Sequence, residues 1–360
     1  MLNEHLIKWL SRGVADKSTG STARPSIAIA TDIGLVRKEN QDRVACMTFS
    51  PKANQGFPFF VVALSDGMGG MKDGAQCASR AIATFFSSLV RHKNVSLVDR
   101  MQNAAIEANE NVFAYSRGYG GATLTAVLIS LDGSAISLNV GDSRIYAEAG
   151  VERKFLDRLT VDDSLEEMVG GHGRDLLQYI GMGEGLKAHV KYVTPDFDKL
   201  LLTSDGVHFV HQKAMEDVFV NSLDPSQAVS RLSALARWSG GPDNASLAVL
   251  SIARIEKLLR ENDAESLDVW DAFSELNLLW LKSENYPESR AARFDAAEKK
   301  LELISSSPPA DKLLVEKASL PPKKSPRAKR KPKQAKKPED KLQIVIEMDA
   351  NMESSDESSR

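Results

Sequence analysis

Between about residues 26 and 253, short apolar runs alternate with stretches whose apolar positions recur every three or four residues. The runs Ser26–Thr31, Phe59–Ser65, Leu124–Leu131, Ala135–Val140, Arg144–Glu148, Lys199–Thr203 and Ser246–Ile252 are short and bounded by Gly, Asp or Pro, which predicts strands. After Gly74, the residues Ala75, Ala78, Ile82, Phe85 or Phe86, and Leu89 fall on one helical face. Leu97, Met101, Ala104, Ala105, Ala108 and Val112 do the same, and Ser226–Trp238 predicts a third helix. The D-G-S-A turn at Asp132–Ala135 reads as a hairpin. A hairpin requires antiparallel pairing, so a doubly wound parallel sheet is excluded and a layered α+β arrangement is expected.

The flanks differ in pattern. Leu2, Leu6, Ile7 and Leu10 lie near helical spacing beside Trp9, which predicts a short N-terminal helix, docked on the domain or turned to a partner or membrane surface. Residues 11–25 are small and polar and read as a linker, so 1–25 is an N-terminal helix and linker ahead of a domain over 26–253. Residues 254–304 read as a helical appendix, with Trp270, Phe273, Leu276, Leu279 and Trp280 forming an apolar stripe. Residues 305–360 read as a disordered tail: Ser-, Pro- and Lys-rich, strongly basic over 323–337, and ending in a short apolar run followed by acids.

Composition adds little to this picture. The chain has 360 residues, 42% hydrophobic and 26% charged, with a net charge of -3, as ordinary soluble proteins do. No apolar run is long enough to span a bilayer, and the N-terminus, with Glu4 early, is a poor signal peptide. Only Cys46 and Cys77 occur, at no metal or disulfide spacing, so both are expected to be small buried residues in a reducing, cytoplasmic setting.

The candidate chemistry lies at the ends of the predicted strands. Five Asp-bearing motifs stand there: R-K-E-N-Q-D ending at Asp42, S-D-G-M-G-G at Asp66, V-G-D-S-R at Asp142, T-S-D-G-V at Asp205 and G-G-P-D-N at Asp243. A carboxylate followed by Gly or Asn continues a strand poorly but presents an oxygen well from a tight turn. Taken singly, each could be a turn-capping Asp. Carboxylates spread from Asp42 to Asp243 suggest one metal centre assembled by long-range folding.

With G-G-A-T-L at 120–124, these motifs stand in the order of the metal-dependent serine/threonine protein phosphatases, the PPM or type 2C family, which the chain resembles over about residues 26–253. The resemblance implies a four-layer α-β-β-α sandwich of two antiparallel sheets flanked by helices, with metals in a cleft at one end. It implies that Asp42, Asp66, Asp205 and Asp243 surround a two-metal centre. It also implies that the Gly67 carbonyl is a ligand, that Asp142 with Asp205 serves a third, weaker metal, and that Arg37 holds the substrate phosphate. The implied reaction is hydrolysis of phosphoserine or phosphothreonine in proteins, opposing a serine/threonine kinase. Mn²⁺ or Mg²⁺ suits such oxygen donors, and two ions sharing a water lower its pKa enough to give hydroxide near neutral pH. The planar fork of Arg37 suits a bidentate phosphate contact.

Two positions depart from the family pattern. Met68 stands where some members carry a His proposed as general acid, so proton delivery would fall to water. V-D-D-S at Val161–Ser164 replaces a frequent D-H-S at the start of a mobile flap, to which G-G-H-G at 170–173 also belongs. His208 follows the Asp205 motif but is expected to be a strand or surface His, and Asn244 is expected to shape the Asp243 turn.

The tail supports further expectations. Its basic run would attract acidic protein, nucleic acid or anionic lipid, without aromatic residues for base stacking. In a eukaryote it would read as a nuclear localisation signal. Residues 342–349 could add a strand to a partner's sheet, and the I-V-I there is similar to a short motif that binds ubiquitin-like modifiers. Two other readings stay open: a phosphoprotein-binding module with little turnover, and a scaffold working through its C-terminal part.

Overall fold

The computed structural model describes residues 2–51, 56–68, 73–92, 95–150, 154–170, 175–262 and 265–279. The chain divides into two units, Met1–Glu302 and Leu303–Arg360, and every described residue belongs to the first. The expectations for the basic tail and for residues 342–349 therefore lie outside the described residues.

Two antiparallel sheets form the middle of the first unit. The first contains, in spatial order, β1 (Gly20–Arg24), β2 (Ile27–Asp32), β11 (Ala245–Ser251), β10 (Lys199–Thr203), β7 (Arg144–Ala149) and β8 (Phe155–Arg158). The second contains β13 (Glu275–Leu279), β12 (Ser266–Asp271), β3 (Arg43–Phe49), β4 (Phe59–Ser65), β5 (Leu124–Ser130), β6 (Ala135–Val140) and β9 (His189–Tyr192). Helices α1 (Leu2–Leu10), α2 (Gly74–Arg91) and α3 (Leu97–Ser116) supply the apolar layer packed on the second sheet. Helices α6 (Gln212–Val220) and α7 (Pro225–Trp238) supply that on the first. The α+β sandwich flanked by helices is as expected.

Strand residues alternate between the two interfaces, as the two-residue period requires. Val44, Cys46, Phe60, Val62 and Leu64 meet Ile27, Ile29, Leu200 and Leu250 between the sheets. Their neighbours Ala45, Met47, Phe59, Val61 and Ala63 meet the helices. Burial on both faces explains why Phe59–Ser65 reads as a continuous apolar run rather than an alternating one. Helix α1 buries Leu6 and Leu10 completely in the same core as α2. Each such side chain contributes roughly 1.5–3 kcal/mol, enough to hold a nine-residue helix that would not persist alone.

Two expectations about the flanks need correction. Residues 254–304, where they are described, are helical only as far as Glu261 and form no helical appendix beyond it. Helix α8 (Ile252–Glu261) is followed by β12 and β13, a hairpin that extends the second sheet beyond β3. The stripe Trp270, Phe273 and Leu276 has helical spacing only because a turn falls inside it. The Asp271 carboxylate accepts the Phe273 and Ser274 N–H groups and closes that turn. Trp270 points between the sheets, while Leu267, Val269 and Leu276 face the helix side. Residues 280–304 lie outside the described residues. The linker over 11–25 also contains structure: β1 is an edge strand paired along its whole length with β2. Its polar, half-exposed alternation carries no apolar signal, so only the pairing reveals it.

Cys46 and Cys77 are both buried and neither forms a disulfide, and burial pushes the Cys77 thiol up to about 11. Among the described residues, no helix is long and apolar enough to cross a membrane.

Candidate active site

Antiparallel pairing carries all five Asp motifs to one end of the sandwich. Asp42 precedes β3 and Asp66 follows β4, and the pair Arg43–Ser65 closes that ladder. Thr203 at the end of β10 pairs with Arg144 at the start of β7 and Leu247 near the start of β11. Asp205, Asp142 and Asp243 sit just beyond those ends. Asp205 is the first residue of the short helix α5 (Asp205–His208).

Hydroxyls and amides join the motifs. Ser204 Oγ donates to Asp42 Oδ2 at 2.8 Å and accepts from Ser246 N at 2.9 Å, linking the Asp42 and Asp205 motifs to the start of β11 at one atom. Thr123 Oγ1 accepts the Asp66 N–H at 2.9 Å, and Thr123 N donates to the Asp66 carbonyl at 2.8 Å. Asn244 Nδ2 donates to the Ile33 and Glu39 carbonyls, both at 2.9 Å, while its Oδ1 accepts from Gln41 N at 2.8 Å. Asn244 thus pins the loop carrying Arg37 onto the Asp243 turn, more than the local shaping expected of it. Arg37 Nη2 donates to Asp243 Oδ2 at 2.6 Å from an exposed position.

Glycine is required at two of these turns by close backbone approach. A Cβ on Gly67 would stand 2.4 Å from the Gly74 carbonyl oxygen. One on Gly206 would stand 1.9 Å from that of Asn244.

The electrostatics report convergence. Burial, with Asp205 and Asp243 adding repulsion against the Ser204 hydrogen bond, pushes Asp42 up to about 7. Burial raises Asp66 well above the carboxylate range, with Asp42, Asp205, Asp142 and Asp243 all adding to it. Burial and Asp205 push Asp142 up to about 7. The hydrogen bond to Asp243 raises Arg37, and Asp205 and Asp66 act in the same direction. Carboxylates in this state are held together against their own repulsion.

The residues fit oxygen-preferring divalent cations. Among the described residues, none hydrogen-bonds the buried Asp42 Oδ1, an acceptor that a cation would satisfy. The converging acidic groups are all carboxylates, the donor type suited to Mg²⁺ or Mn²⁺. Among the described residues, no three His, Cys, Asp or Glu side chains already close around a single point. Ligands shared between two ions, with carbonyl and water oxygens completing each shell, need no such convergence.

The departures in sequence also find a place. Asp162 receives Arg144 at 2.7 Å and Arg158 at 2.6 Å. Asp163 receives the Gly141 N–H at 3.0 Å, Gln178 at 2.9 Å and His189 at 2.8 Å. Both V-D-D-S acids therefore lock the segment after β8 onto G-D-S-R. His208 is mostly buried rather than on the surface, its Nδ1 3.0 Å from Thr203 Oγ1, and burial lowers its pKa far enough to keep it neutral. Gly171–Gly173 lie outside the described residues. Ser204 and Thr123 stand inside T-S-D-G-V and G-G-A-T-L, and nothing local in those motifs marks their hydroxyls as partners of Asp42 and Asp66.

A family model described as protein phosphatase 2C matches residues 37–239. The protein phosphatase PhpP of Streptococcus pneumoniae is 27% identical over 271 residues, covering 66% of this chain and 99% of that protein. The solved PPM Ser-Thr phosphatase MsPP from Mycobacterium smegmatis, in complex with cacodylate, is 26% identical with a TM-score of 0.51, covering 64% of this chain and 99% of that one. The catalytic domain of the serine threonine protein phosphatase PstP, solved with 2 manganese ions, is 24% identical with a TM-score of 0.51, covering 65% and 99%.

Proposed function

Because this chain belongs to the protein phosphatase 2C family, we propose that it removes phosphate from phosphoserine or phosphothreonine in proteins, using two bound Mn²⁺ or Mg²⁺ ions and opposing a serine/threonine kinase. The observation that carries this reading is that strand pairing brings carboxylates from motifs far apart in sequence to one buried end of the sandwich, where burial first and neighbouring acids second raise Asp42, Asp66 and Asp142. Asp66, Asp205 and Asp243 would hold the ions together with the Gly67 carbonyl, and Asp42 would complete the set. Asp142, acted on by Asp205, would serve a third ion. When bound, the ions supply Lewis-acid charge and lower the pKa of a shared water. Ser204 holds the Asp42 carboxylate in its rotamer through Oδ2 and leaves Oδ1 for the metal side. Arg37, exposed and already aimed at Asp243, would turn its fork to the incoming phosphate and orient it. Met68 has no proton to give, so the leaving alkoxide would take its proton from water.

The test is hydrolysis of a phosphothreonine peptide by purified protein with Mn²⁺, with Mg²⁺ and with EDTA. Phosphate release that needs metal and disappears in Asp66→Asn is the expected result. A folded protein that releases none under any metal would overturn the proposal and favour a binding or scaffolding role.

A further inference from the structure

The residue after Asp42 joins the N-terminal segment to the Asp42 loop. Arg43 is 3% exposed. Its Nε donates to the Leu10 carbonyl at the end of α1 and to Ser79 Oγ, both at 3.1 Å. Its Nη1 donates to the carbonyls of Asn40 at 2.9 Å and Asp42 at 2.8 Å. Its Nη2 pairs with the Asp16 carboxylate. The Asp16 carbonyl in turn accepts the Asn40 N–H at 2.8 Å, and Asn40 Oδ1 accepts the Asp42 N–H at 3.1 Å. One guanidinium thus grips the Asn40–Asp42 backbone from behind, and Asp16 supplies both the counter-charge and a second hold on the same loop. A buried guanidinium without its counter-charge would not keep that geometry. Asp16 lies before residue 37, where the family match begins.

We propose that Asp16 and Arg43 are positioning residues for the Asp42 carboxylate, so that the N-terminal segment sets the metal affinity of the cleft. This rests on the reading of Asp42 as part of the metal centre. The alternative is that Arg43 is a staple for the fold alone. Arg12 offers the comparison: it ties the same segment to Asp271 through two 2.7 Å bonds and has no bond to the Asp42 loop.

The experiment uses full-length protein with Asp16→Asn, Arg43→Lys, Arg12→Gln, Asp42→Asn and Asp66→Asn. Mn²⁺ binding is read by calorimetry, thermal stability in EDTA, and p-nitrophenyl phosphate turnover against Mn²⁺ concentration. Loss of an outer hydrogen-bond partner typically weakens a metal site about tenfold or more. Asp16→Asn and Arg43→Lys should show that loss, with Asp16→Asn turnover recovering toward wild type at saturating Mn²⁺. Arg12→Gln should lower the melting temperature and leave Mn²⁺ affinity unchanged. If Asp16→Asn and Arg43→Lys melt lower but bind Mn²⁺ like wild type, the inference is overturned and the staple stands. Should Arg43→Lys fail to fold, Asp16→Asn, at a partly exposed site, decides alone. If Asp42→Asn binds Mn²⁺ like wild type while Asp66→Asn does not, the assignment of Asp42 falls and takes this inference with it. If both bind normally, the reading of the whole site fails.

Discussion

Removing one charge from the acidic cluster should stabilise the metal-free protein, with a pH dependence of defined sign. Asp42 is 1% exposed, and its pKa is pushed from an ordinary 3.8 up to about 7, by burial first. Such a carboxylate keeps in the folded chain a proton that the unfolded chain has released. Stability therefore falls as pH rises from about 3.8, and the full deficit is present above about 7. At roughly 1.4 kcal/mol per pH unit, that deficit is on the order of 4 kcal/mol. Asp42→Asn abolishes the titration, keeps an acceptor for Ser204 and relieves Asp66 of the largest charge acting on it. For a domain of this size about 1 kcal/mol moves the melting temperature by some 2–4 °C. In EDTA at pH 8, Asp42→Asn should melt about 10 °C above wild type, and at pH 5 only a few degrees above. Adding Mn²⁺ should reverse the order, because wild type then gains binding energy that the variant lacks. The assay is a thermal melt of both proteins at the two pH values, with EDTA and with Mn²⁺. An Asn variant that melts at or below wild type in EDTA at pH 8 would refute the reasoning: the carboxylates would not be held together against their repulsion.

Gly206→Ala should reduce kcat/KM for a phosphopeptide by about 100-fold, because its Cβ would fall 1.9 Å from the Asn244 carbonyl oxygen and push Asp205 away from Asp243; wild-type kinetics would show that this approach is not needed. Deleting residues 305–360 should spare turnover of a small phosphate ester while weakening capture of a native phosphoprotein, and equal loss on both substrates would argue against a delivery role for the tail.

Much of the fold was legible because its strands are buried on both faces. Phe59–Ser65 and Leu124–Ser130 are continuous apolar runs bounded by turn residues, and α2 and α3 repeat their apolar face every three to four positions. What misled was coincidence of spacing. Trp270, Phe273 and Leu276 match a helix, and only the ladder between β12 and β3 shows that the segment is extended. β3 itself, opening on Arg43 and carrying Cys46 and Thr48, has too mixed a composition to stand out. β1 has no apolar face at all. Pairing energy from a neighbouring strand decided these three, and a window of sequence does not contain the neighbour.

The same division holds at the site. Residue order singled out the candidate carboxylates as an ordered set of Asp motifs at strand ends, three of them followed by Gly or Asn. It also pointed to the metals such oxygens prefer, whereas the need for glycine at 67 and 206 comes from backbone brought close by the fold. Only the tertiary structure decided that Ser204 reaches Asp42 across 162 positions, that Asp162 and Asp163 clamp the segment after β8, and that Asp16 stands behind the Asp42 loop. Charge repulsion, desolvation and hydrogen bonding depend on distance in space and on the exclusion of water. Neither exists until the two sheets have closed on one another.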